Sequence, residues 1–348
     1  MVPQGAMRFF RFGGIYMKVG VFSNLRGGPG RFTPYLGENP GHLEFVLLPG
    51  EPDRAHLPEL KEAGCEALIY FNDHKESPDY FEELARLGVR YLVTCSAGYD
   101  QFDLDAMKAC GIRGANVPQY SPNAIAEHTV MMALALLRHL KVQFRHIREH
   151  QFGVRGLAGR EMRNMKVGIV GYGRIGRVTA ECLSGFHPKE ILFYDHHKKE
   201  GGPARQVSLE ELYRTSDIIL FHCSYTEANH HMVNDKTLRE MKDGVVLVNS
   251  ARGPLFDTEA ILRGLASGKI GALGLDVIEN EMALRRDKGE LTKETEALLD
   301  RLLAYDNVIY TSHTAFLTDE AERNMAETTV ENLREYAETG QCGNELVH

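Results

Sequence analysis

The chain has 348 residues, which at roughly 100–200 residues per domain indicates two domains that can each bury a core. Hydrophobic residues make up 43% of the chain and charged residues 25%, which is typical of a globular protein and argues against disorder. The formal net charge of -8 disfavours a nucleic-acid or acidic-membrane partner, so an anionic substrate needs a local basic group.

The distribution of apolar residues and cysteines bears on location. The longest strongly apolar run, Val130–Leu137, is far shorter than a membrane span. The six cysteines are well separated and form no CxxC pair, which is typical of free thiols in a reducing compartment. Residues 1–17 lack the apolar stretch of a signal peptide, and we interpret them as a disordered extension, an upstream start or a cloning remnant, with a transit peptide as the alternative. We therefore expect a cytoplasmic protein with no membrane partner.

Short apolar runs alternate with helix-like stretches along almost the whole chain. The runs are nearly continuous, which is typical of parallel strands covered by helices on both faces. The sequence therefore predicts two α/β units, each with a doubly wound parallel sheet. The predicted strands are Lys18–Phe22, Phe45–Leu48, Ala67–Tyr70 and Tyr91–Thr94 in the first unit, and Lys166–Val170, Ile191–Tyr194, Ile218–His222, Val245–Asn249, Ala272–Asp276 and Val308–Tyr310 in the second.

The boundary between the units is predicted near residues 117–121. Ser121 suits the N-cap of a helix and Pro122 its first position. Apolar residues then recur with helical spacing to about His150, so one long helix is predicted to bridge the units. Residues 282–297 are polar and charged, and are predicted to form a surface excursion.

Residues 167–176, VGIVGYGRIG, form the clearest binding motif. The motif follows a predicted strand and precedes a helix-compatible run, which is the context in which G-x-G-x-x-G binds a dinucleotide. Gly171 would allow a tight turn, Gly173 the close approach of a pyrophosphate, and Gly176 close helix–strand packing. The phosphates would then lie at the N-terminus of the helix, beside Arg174 and Ile175.

The second strand of this unit is followed by an acidic residue, Asp195, 19 residues after Gly176. A carboxylate there can accept hydrogen bonds from both ribose hydroxyls and would repel a 2′-phosphate. NAD is therefore favoured over NADP. Two histidines and two lysines follow directly, so the degree of NADP tolerance stays open.

From about Lys18 to Val347 the chain resembles the D-isomer-specific 2-hydroxyacid dehydrogenases, and within them the D-lactate dehydrogenases. The segments that carry the resemblance are CSAGYD (95–100), NVPQYSPNAIAEH (116–128), the glycine motif, VNSARG (248–253), GLDVIENE (274–281) and HTAFLT (313–318). The resemblance implies a flavodoxin-like substrate domain and a Rossmann NAD domain with a cleft between them. The substrate domain would comprise residues 18–119 and 317–348, and the NAD domain residues 120–316.

The resemblance also implies roles for the matching residues. Arg252 matches the arginine that binds the substrate carboxylate, and Glu281 matches the glutamate that pairs with the catalytic histidine, which His313 matches. The implied substrate-binding residues are Ala97 and Gly98, through their backbone N–H groups, and Tyr120. The implied cofactor-binding residues are Gly171, Gly173, Arg174, Ile175, Gly176, Asp195, His222, Cys223, Ser250, Ala251 and, on the nicotinamide side, Asp276. The chain departs from the family pattern at Ser224 and Ser312, where proline is usual.

These residue types suit the reduction of a 2-oxo acid. The reaction needs a hydride donor, a proton donor and a clamp for the carboxylate. Arg252 can bind a carboxylate through two parallel hydrogen bonds, and His313 can donate a proton near neutrality, with Glu281 favouring its charged form. The plainer interpretations are a surface arginine, an ordinary histidine, a solvated acid, a capping role for Asp276 and interface packing for Tyr120. The strand-end positions of the arginine and the histidine favour function.

The resemblance implies NAD-dependent, reversible reduction of pyruvate to D-lactate. Several aromatic residues indicate a small pocket, which favours pyruvate: Tyr70, Phe71, Tyr99, Tyr120 and Phe316. A longer 2-oxo acid is the alternative substrate. An NAD-sensing, corepressor-like binding protein is the alternative from another class, although the acidic charge argues against it. The resemblance implies a homodimer or a dimer of dimers. We expect no metal site, because the adjacent histidine pairs at 196–197 and 230–231 have no HExxH or cysteine context.

Overall fold

A computed structural model describes residues 17–23, 42–70, 75–99, 101–279, 281 and 293–347. The predicted N-terminal extension, apart from Met17, lies outside these residues, as does Phe71. The described part of the chain contains twelve strands: β1 Met17–Phe22, β2 Leu43–Leu48, β3 Ala67–Tyr70, β4 Tyr91–Thr94, β5 Arg113–Ala115, β6 Lys166–Val170, β7 Glu190–Tyr194, β8 Arg205–Gln206, β9 Ile218–Phe221, β10 Val245–Asn249, β11 Ile270–Leu275 and β12 Val308–Tyr310.

The same residues form eleven α-helices. They are α1 Pro58–Ala63, α2 Pro78–Leu87, α3 Leu104–Ala109, α4 Pro122–Leu137, α5 Leu140–Arg148, α6 Arg174–Ser184, α7 Leu209–Thr215, α8 Asp235–Glu240, α9 Thr258–Ala266, α10 Lys293–Leu303 and α11 Asp319–Thr339. Among them, none combines the length and the apolar character needed to span a bilayer.

The chain divides into two compact units. The first comprises Met1–Tyr120 and Thr318–His348, and the second Ser121–Leu317. Each division lies one residue beyond the boundary expected from the family resemblance, at 119/120 and at 316/317.

The first unit is built on a five-stranded parallel sheet in the order β2-β1-β3-β4-β5, the order of a flavodoxin-like fold. The central strands β3 and β4 are fully buried, as their continuous apolar runs predict, whereas the edge strand β2 is partly exposed. The C-terminal helix α11 buries Ala326, Val330 and Leu333 in the same apolar core, which explains why residues so distant in sequence belong to this unit.

The second unit is built on a seven-stranded parallel sheet in the order β12-β11-β10-β9-β6-β7-β8. Alternate residues of β10 enter two different apolar clusters, Leu247 one and Val248 the other, because successive side chains of a strand point to opposite faces. The chain runs from β6 outward to β8 and then returns to β9 on the other side of β6. Ligands of doubly wound sheets bind at the carboxyl ends of the strands, at such a switch point.

The predicted long helix over residues 121–150 is wrong, because the structure has two helices, α4 and α5. They are separated at Arg138 and His139, where His139 has a φ of 52° that the α-helix cannot include. Ser121 is the N-cap of α4, as predicted: its side chain accepts a hydrogen bond from the N–H of Ala124 at 3.2 Å.

The strand predictions fail at short or polar segments. The strands β5 and β8 have only three and two residues, with sequences RGA and RQ, and so give no apolar run to detect. Strands β9 and β11 end before His222 and Asp276, which were predicted to close them. Of the predicted surface excursion, residues 282–292 lie outside the described residues, and the remainder begins α10.

Candidate active site

The predicted cofactor-binding and catalytic residues of the second unit lie at one edge of its sheet. The adjacent parallel strands β6, β9, β10, β11 and β12 are followed respectively by the glycine motif, His222, Ser250–Arg252, Asp276 and His313. Adjacent strands lie about 4.8 Å apart, so the ends of β10 and β12, which flank β11, are separated by about 10 Å. An arginine side chain and a small substrate together can span that distance.

The three glycines of the loop between β6 and α6 have different surroundings. Gly171 has a φ of 94°, and a Cβ there would lie 2.5 Å from the backbone nitrogen of Cys223. A Cβ on Gly176 would lie 2.1 Å from the carbonyl oxygen of Gly171. A Cβ on Gly173, in contrast, would meet no described atom within 4 Å.

The N-terminus of α6 suits an anion. The N-cap of this eleven-residue helix is Gly173, so no side chain caps its first N–H groups. Free N–H groups and the helix dipole favour a phosphate at such a position. The open space at Gly173 and these donors together fit the pyrophosphate of a dinucleotide, with Arg174 and Ile175 in the first turn.

Asp195 lies directly after β7 and is held beside the glycine loop. Its Oδ2 accepts a hydrogen bond from the N–H of Tyr172 at 2.9 Å, and its Oδ1 accepts one from the N–H of His197 at 3.0 Å. Both carboxylate oxygens keep further lone pairs. The fixed carboxylate therefore fits the predicted interaction with ribose hydroxyls.

The side chain of His222 joins two helices to the ends of β9 and β10. Its Nε2 donates to the Thr179 hydroxyl of α6 at 3.0 Å, because that hydroxyl donates to a backbone carbonyl. Its Nδ1 lies 3.4 Å from Oγ of Ser250, which is 2.7 Å from the hydroxyl of Thr129 on α4. Burial lowers the pKa of His222 to about 3, so the imidazole is neutral at physiological pH. Burial also raises the pKa of the neighbouring Cys223 to about 11, which keeps it a thiol.

The turn that carries Arg252 is fixed by Asn249, the last residue of β10. The buried Asn249 side chain donates to the carbonyl of Arg252 at 2.9 Å and accepts from the N–H of Ala251 at 3.0 Å. One guanidinium nitrogen of Arg252 donates to the Ala251 carbonyl at 2.9 Å. Asn249 is not among the residues predicted from the sequence, although an asparagine at the end of an otherwise apolar strand is a usable signal.

Asp276 organises the turn that carries His313. Its carboxylate, 1% exposed, accepts hydrogen bonds from the Thr311 hydroxyl at 2.6 Å and from the N–H groups of Thr314 at 2.8 Å and Ala315 at 3.1 Å. Within this turn Ser312 and His313 have φ values of 51° and 55°. The structure therefore gives the Asp276 carboxylate a positioning function, and its contact with the nicotinamide stays a prediction.

Thr311 and His128, which are not among the residues predicted from the sequence, complete this cluster. The hydroxyl of Thr311 donates to Asp276, so it accepts from Nε2 of His128 on α4 at 3.0 Å. Burial lowers the pKa of His128, against the raising effect of Asp276. A neutral histidine with its proton on Nε2 thus supports the turn from the helix side.

His313 and Glu281 form the expected pair. The Nδ1 atom of His313 lies 2.7 Å from Oε1 of Glu281, and the two side chains are 26% and 13% exposed. A carboxylate in this position accepts a hydrogen bond from Nδ1 and leaves Nε2 as the other ring nitrogen that can carry a proton. The ring of Phe316 lies edge-on to the imidazole, with centroids 6.1 Å apart.

The remaining predicted residues lie in the first unit. Ala97 and Gly98 follow β4 in a loop tied by its carbonyls: the Asn116 amide donates to Ala97 O at 2.7 Å, and the Ser96 hydroxyl donates to Gly98 O at 2.6 Å. The carbonyl of Tyr120 accepts from the Asn324 amide on α11. The loop geometry is defined, and the substrate-binding role of these residues stays a prediction.

Comparison with known proteins places this geometry in a family. A family model described as the NAD binding domain of D-isomer specific 2-hydroxyacid dehydrogenases matches residues 130–315. The chain belongs to the D-isomer-specific 2-hydroxyacid dehydrogenase family. An aromatic 2-oxoacid reductase of Clostridium sporogenes is 38% identical over 318 residues, which cover 90% of this chain and 94% of the relative.

Two further relatives bear on the expected branch. The D-lactate dehydrogenase of Escherichia coli is 36% identical over 287 residues, which cover 82% of this chain and 87% of that enzyme. The crystal structure of D-lactate dehydrogenase from Aquifex aeolicus, complexed with NAD and lactic acid, has a TM-score of 0.81 at 30% identity and covers 95% of this chain and 99% of that one. The predicted family, with its D-lactate dehydrogenase branch, the two-sheet α/β fold and NAD as the cofactor are confirmed. This family member is an NAD-dependent D-2-hydroxyacid dehydrogenase.

Proposed function

We propose that this dehydrogenase reduces a small 2-oxo acid to its D-2-hydroxy acid, with pyruvate and D-lactate as the leading pair. The observation that carries the proposal is the His313–Glu281 pair at the end of β12, at the same sheet edge as Arg252 and the glycine loop. NADH supplies the hydride when it is bound.

Arg252 is proposed to bind the substrate carboxylate. Its planar guanidinium can form two parallel hydrogen bonds with a carboxylate, which fixes the orientation of the adjacent carbonyl carbon. The hydrogen bonds from Asn249 hold the backbone of this turn, so the guanidinium projects from a fixed base. In a chain with a net charge of -8, this local cation supplies the attraction for an anionic substrate.

His313 is proposed to donate a proton to the carbonyl oxygen during reduction and to take it back during oxidation. Because Nδ1 is held by Glu281, the exchanging proton is on Nε2. The Asp276 hydrogen bonds keep the turn in its positive-φ conformation, so the imidazole does not have to be reoriented in each cycle.

A larger 2-oxo acid is a second candidate substrate. The support is the 38% identity to a relative named aromatic 2-oxoacid reductase. The edge-on contact of Phe316 with His313 favours the smaller substrate, because an aromatic ring already borders the proton donor. The two candidates share the chemistry and differ in the volume that the substrate side chain needs.

The test is NADH oxidation with pyruvate, 2-oxoisocaproate and phenylpyruvate, followed by chiral analysis of the products. The proposal expects the highest kcat/KM for pyruvate and D products throughout. A higher kcat/KM for phenylpyruvate than for pyruvate would identify phenylpyruvate as the preferred substrate. An L product would contradict the proposed geometry. Tight NADH binding with negligible turnover on all three acids would support the NAD-sensing alternative. NADPH in parallel measures cofactor selectivity.

We also propose that the enzyme forms at least a homodimer, as the family resemblance implies. In the second unit, α5 and the segment after it expose Phe144, Ile147, Phe152 and Val154, each more than half accessible. A second copy of the chain packing on this face would remove these apolar side chains from water. Light scattering on the purified protein tests this: a dimer or tetramer mass is expected, and a monomer at micromolar concentration would contradict it.

A further inference from the structure

Near the catalytic pair, a second glutamate–histidine contact joins three loops of the second unit. Oε1 of Glu279 lies 2.6 Å from the ring Nε2 of His231. Oε2 of Glu279 accepts hydrogen bonds from the hydroxyl of Thr258 and, at 3.2 Å, from its N–H group. We call these three residues the Glu279 bridge. His231 belongs to the loop after β9, Thr258 follows the loop after β10, and Glu279 lies in the loop after β11.

The Glu279 bridge spans the two loops that carry the proposed catalytic residues. Thr258 ends the segment that begins at Arg252, and Glu279 lies two residues before Glu281. The two loops are in close backbone contact, because a Cβ on Gly253 would lie 2.1 Å from the carbonyl oxygen of Ile278. Small changes in the spacing of these loops therefore move Arg252 and Glu281 relative to each other.

The loop after β9 supports the same arrangement from the other side. The N–H of His231 donates to the Pro254 carbonyl at 2.9 Å, and that of Val233 donates to the Leu255 carbonyl at 3.0 Å. His231 adopts a φ of 51°, a conformation that costs energy for a residue other than glycine. Its ring stacks on that of His230 with centroids 3.8 Å apart, which orients it toward Glu279.

Helix capping accounts for only part of the Glu279 bridge. Helix α9 already has an N-cap, Asp257, whose carboxylate accepts from the N–H of Ala260 at 3.0 Å. The Glu279 side chain accepts from the N–H of Thr258, the first residue of α9, but it also accepts from the Thr258 hydroxyl and uses its other oxygen on a different loop. Glu279 therefore connects the loop after β11 both to the start of α9 and to the loop after β9.

We propose that the Glu279 bridge is a positioning device, which sets the distance between the carboxylate clamp at Arg252 and the proton-donor pair at Glu281. The proposal rests on the functions proposed above for Arg252 and Glu281. It assigns His231, Thr258 and Glu279 no contact with the substrate. Loss of the contacts among these three side chains changes the geometry of the complex of enzyme, NADH and 2-oxo acid, and leaves NADH binding intact.

The experiment compares Thr258→Val, which removes the hydroxyl at nearly constant volume, with Thr258→Ser, which keeps it. Glu279→Gln and His231→Asn complete the set, because asparagine tolerates the positive φ but is too short to reach Glu279. The control is Glu181→Gln, an exposed glutamate on α6. For each variant we would measure KM for the 2-oxo acid, kcat, the Kd of NADH by fluorescence, and Tm.

The proposal expects Thr258→Val, Glu279→Gln and His231→Asn to raise the KM of the 2-oxo acid by about fivefold to tenfold, because misplacement by a fraction of an ångström is costly in an oriented complex. Thr258→Ser and Glu181→Gln should stay within about twofold of the wild type, as should the Kd of NADH in all variants. A lower Tm with unchanged KM in the three bridge variants would show a purely structural contact and overturn the proposal.

An Arg252→Lys variant separates this proposal from the one on which it rests. A raised KM in Arg252→Lys with a normal KM in Thr258→Val would leave the clamp in place and refute the Glu279 bridge as a positioning device. An unchanged KM in Arg252→Lys would refute the clamp itself.

Discussion

Replacing Asp276 with asparagine should loosen the turn that carries His313. The carboxylate accepts from the Thr311 hydroxyl and from the N–H groups of Thr314 and Ala315, all within 3.2 Å, and is 1% exposed. An asparagine keeps one acceptor oxygen and turns an amide group toward donors. At least one buried donor then loses its acceptor, at a cost of about 1–3 kcal/mol.

This loss predicts two measurable changes. At roughly 2–4 °C per kcal/mol for a domain of this size, the Tm should fall by about 2–12 °C. Since Ser312 and His313 hold positive φ values only while the turn is fixed, kcat should fall by about tenfold or more while the Kd of NADH changes little.

The assays are thermal unfolding, steady-state reduction of the 2-oxo acid and NADH fluorescence titration. A variant with wild-type Tm and wild-type kcat would refute the positioning function of Asp276. Unchanged Tm with a large rise in the Kd of NADH would instead support the cofactor contact that the sequence predicts.

Three further changes test other parts of the site. Gly173→Ala should leave Tm unchanged but weaken NADH binding by about tenfold, because the added Cβ would enter the space left for the pyrophosphate. Gly176→Ala should lower Tm, because the added Cβ would lie 2.1 Å from a carbonyl oxygen. Equal effects of the two variants on Tm would contradict this distinction. Asp195→Ser should lower kcat/KM for NADH and raise it for NADPH, since the fixed carboxylate is lost, and unchanged selectivity in parallel assays would remove Asp195 from cofactor recognition. Burial lowers the pKa of His222 to about 3, whereas its pKa in the unfolded chain is about 6.5. As the pH falls, His222 is therefore protonated first in the unfolded chain, so the free energy of unfolding decreases below about pH 6.5. Wild type should therefore lose about 2 kcal/mol more than His222→Asn between about pH 7 and pH 5, and equal losses in denaturant titrations would contradict a neutral His222 imidazole in the folded protein.

The elements that could be predicted from the sequence are those whose signal is local. Continuous apolar runs give strands such as β6 and β10, and the glycine motif gives the loop before α6. The break between α4 and α5 could not be predicted, because the apolar spacing continues across it and only the backbone conformation of His139 reveals it. The two shortest strands, β5 and β8, are defined by their pairing with a neighbouring strand, and a run of two or three residues is too short to predict that pairing.

The candidate site shows the same division. Arg252, Glu281 and His313 lie in sequence motifs, so the sequence alone identifies them. Thr311 and Thr258, in contrast, form hydrogen bonds with Asp276 and Glu279, which are 35 and 21 residues away in the sequence. Their residue types are ordinary, so only the three-dimensional arrangement identifies them.

The most direct test of the account is the kcat of a His313→Gln variant with its best 2-oxo acid, measured together with the Kd of NADH. Glutamine keeps a polar side chain and cannot act as a proton donor near neutrality. The account predicts a kcat lower by about 100-fold to 10,000-fold with NADH affinity within about twofold of the wild type. A kcat close to that of the wild type would contradict the assignment of His313 as the proton donor.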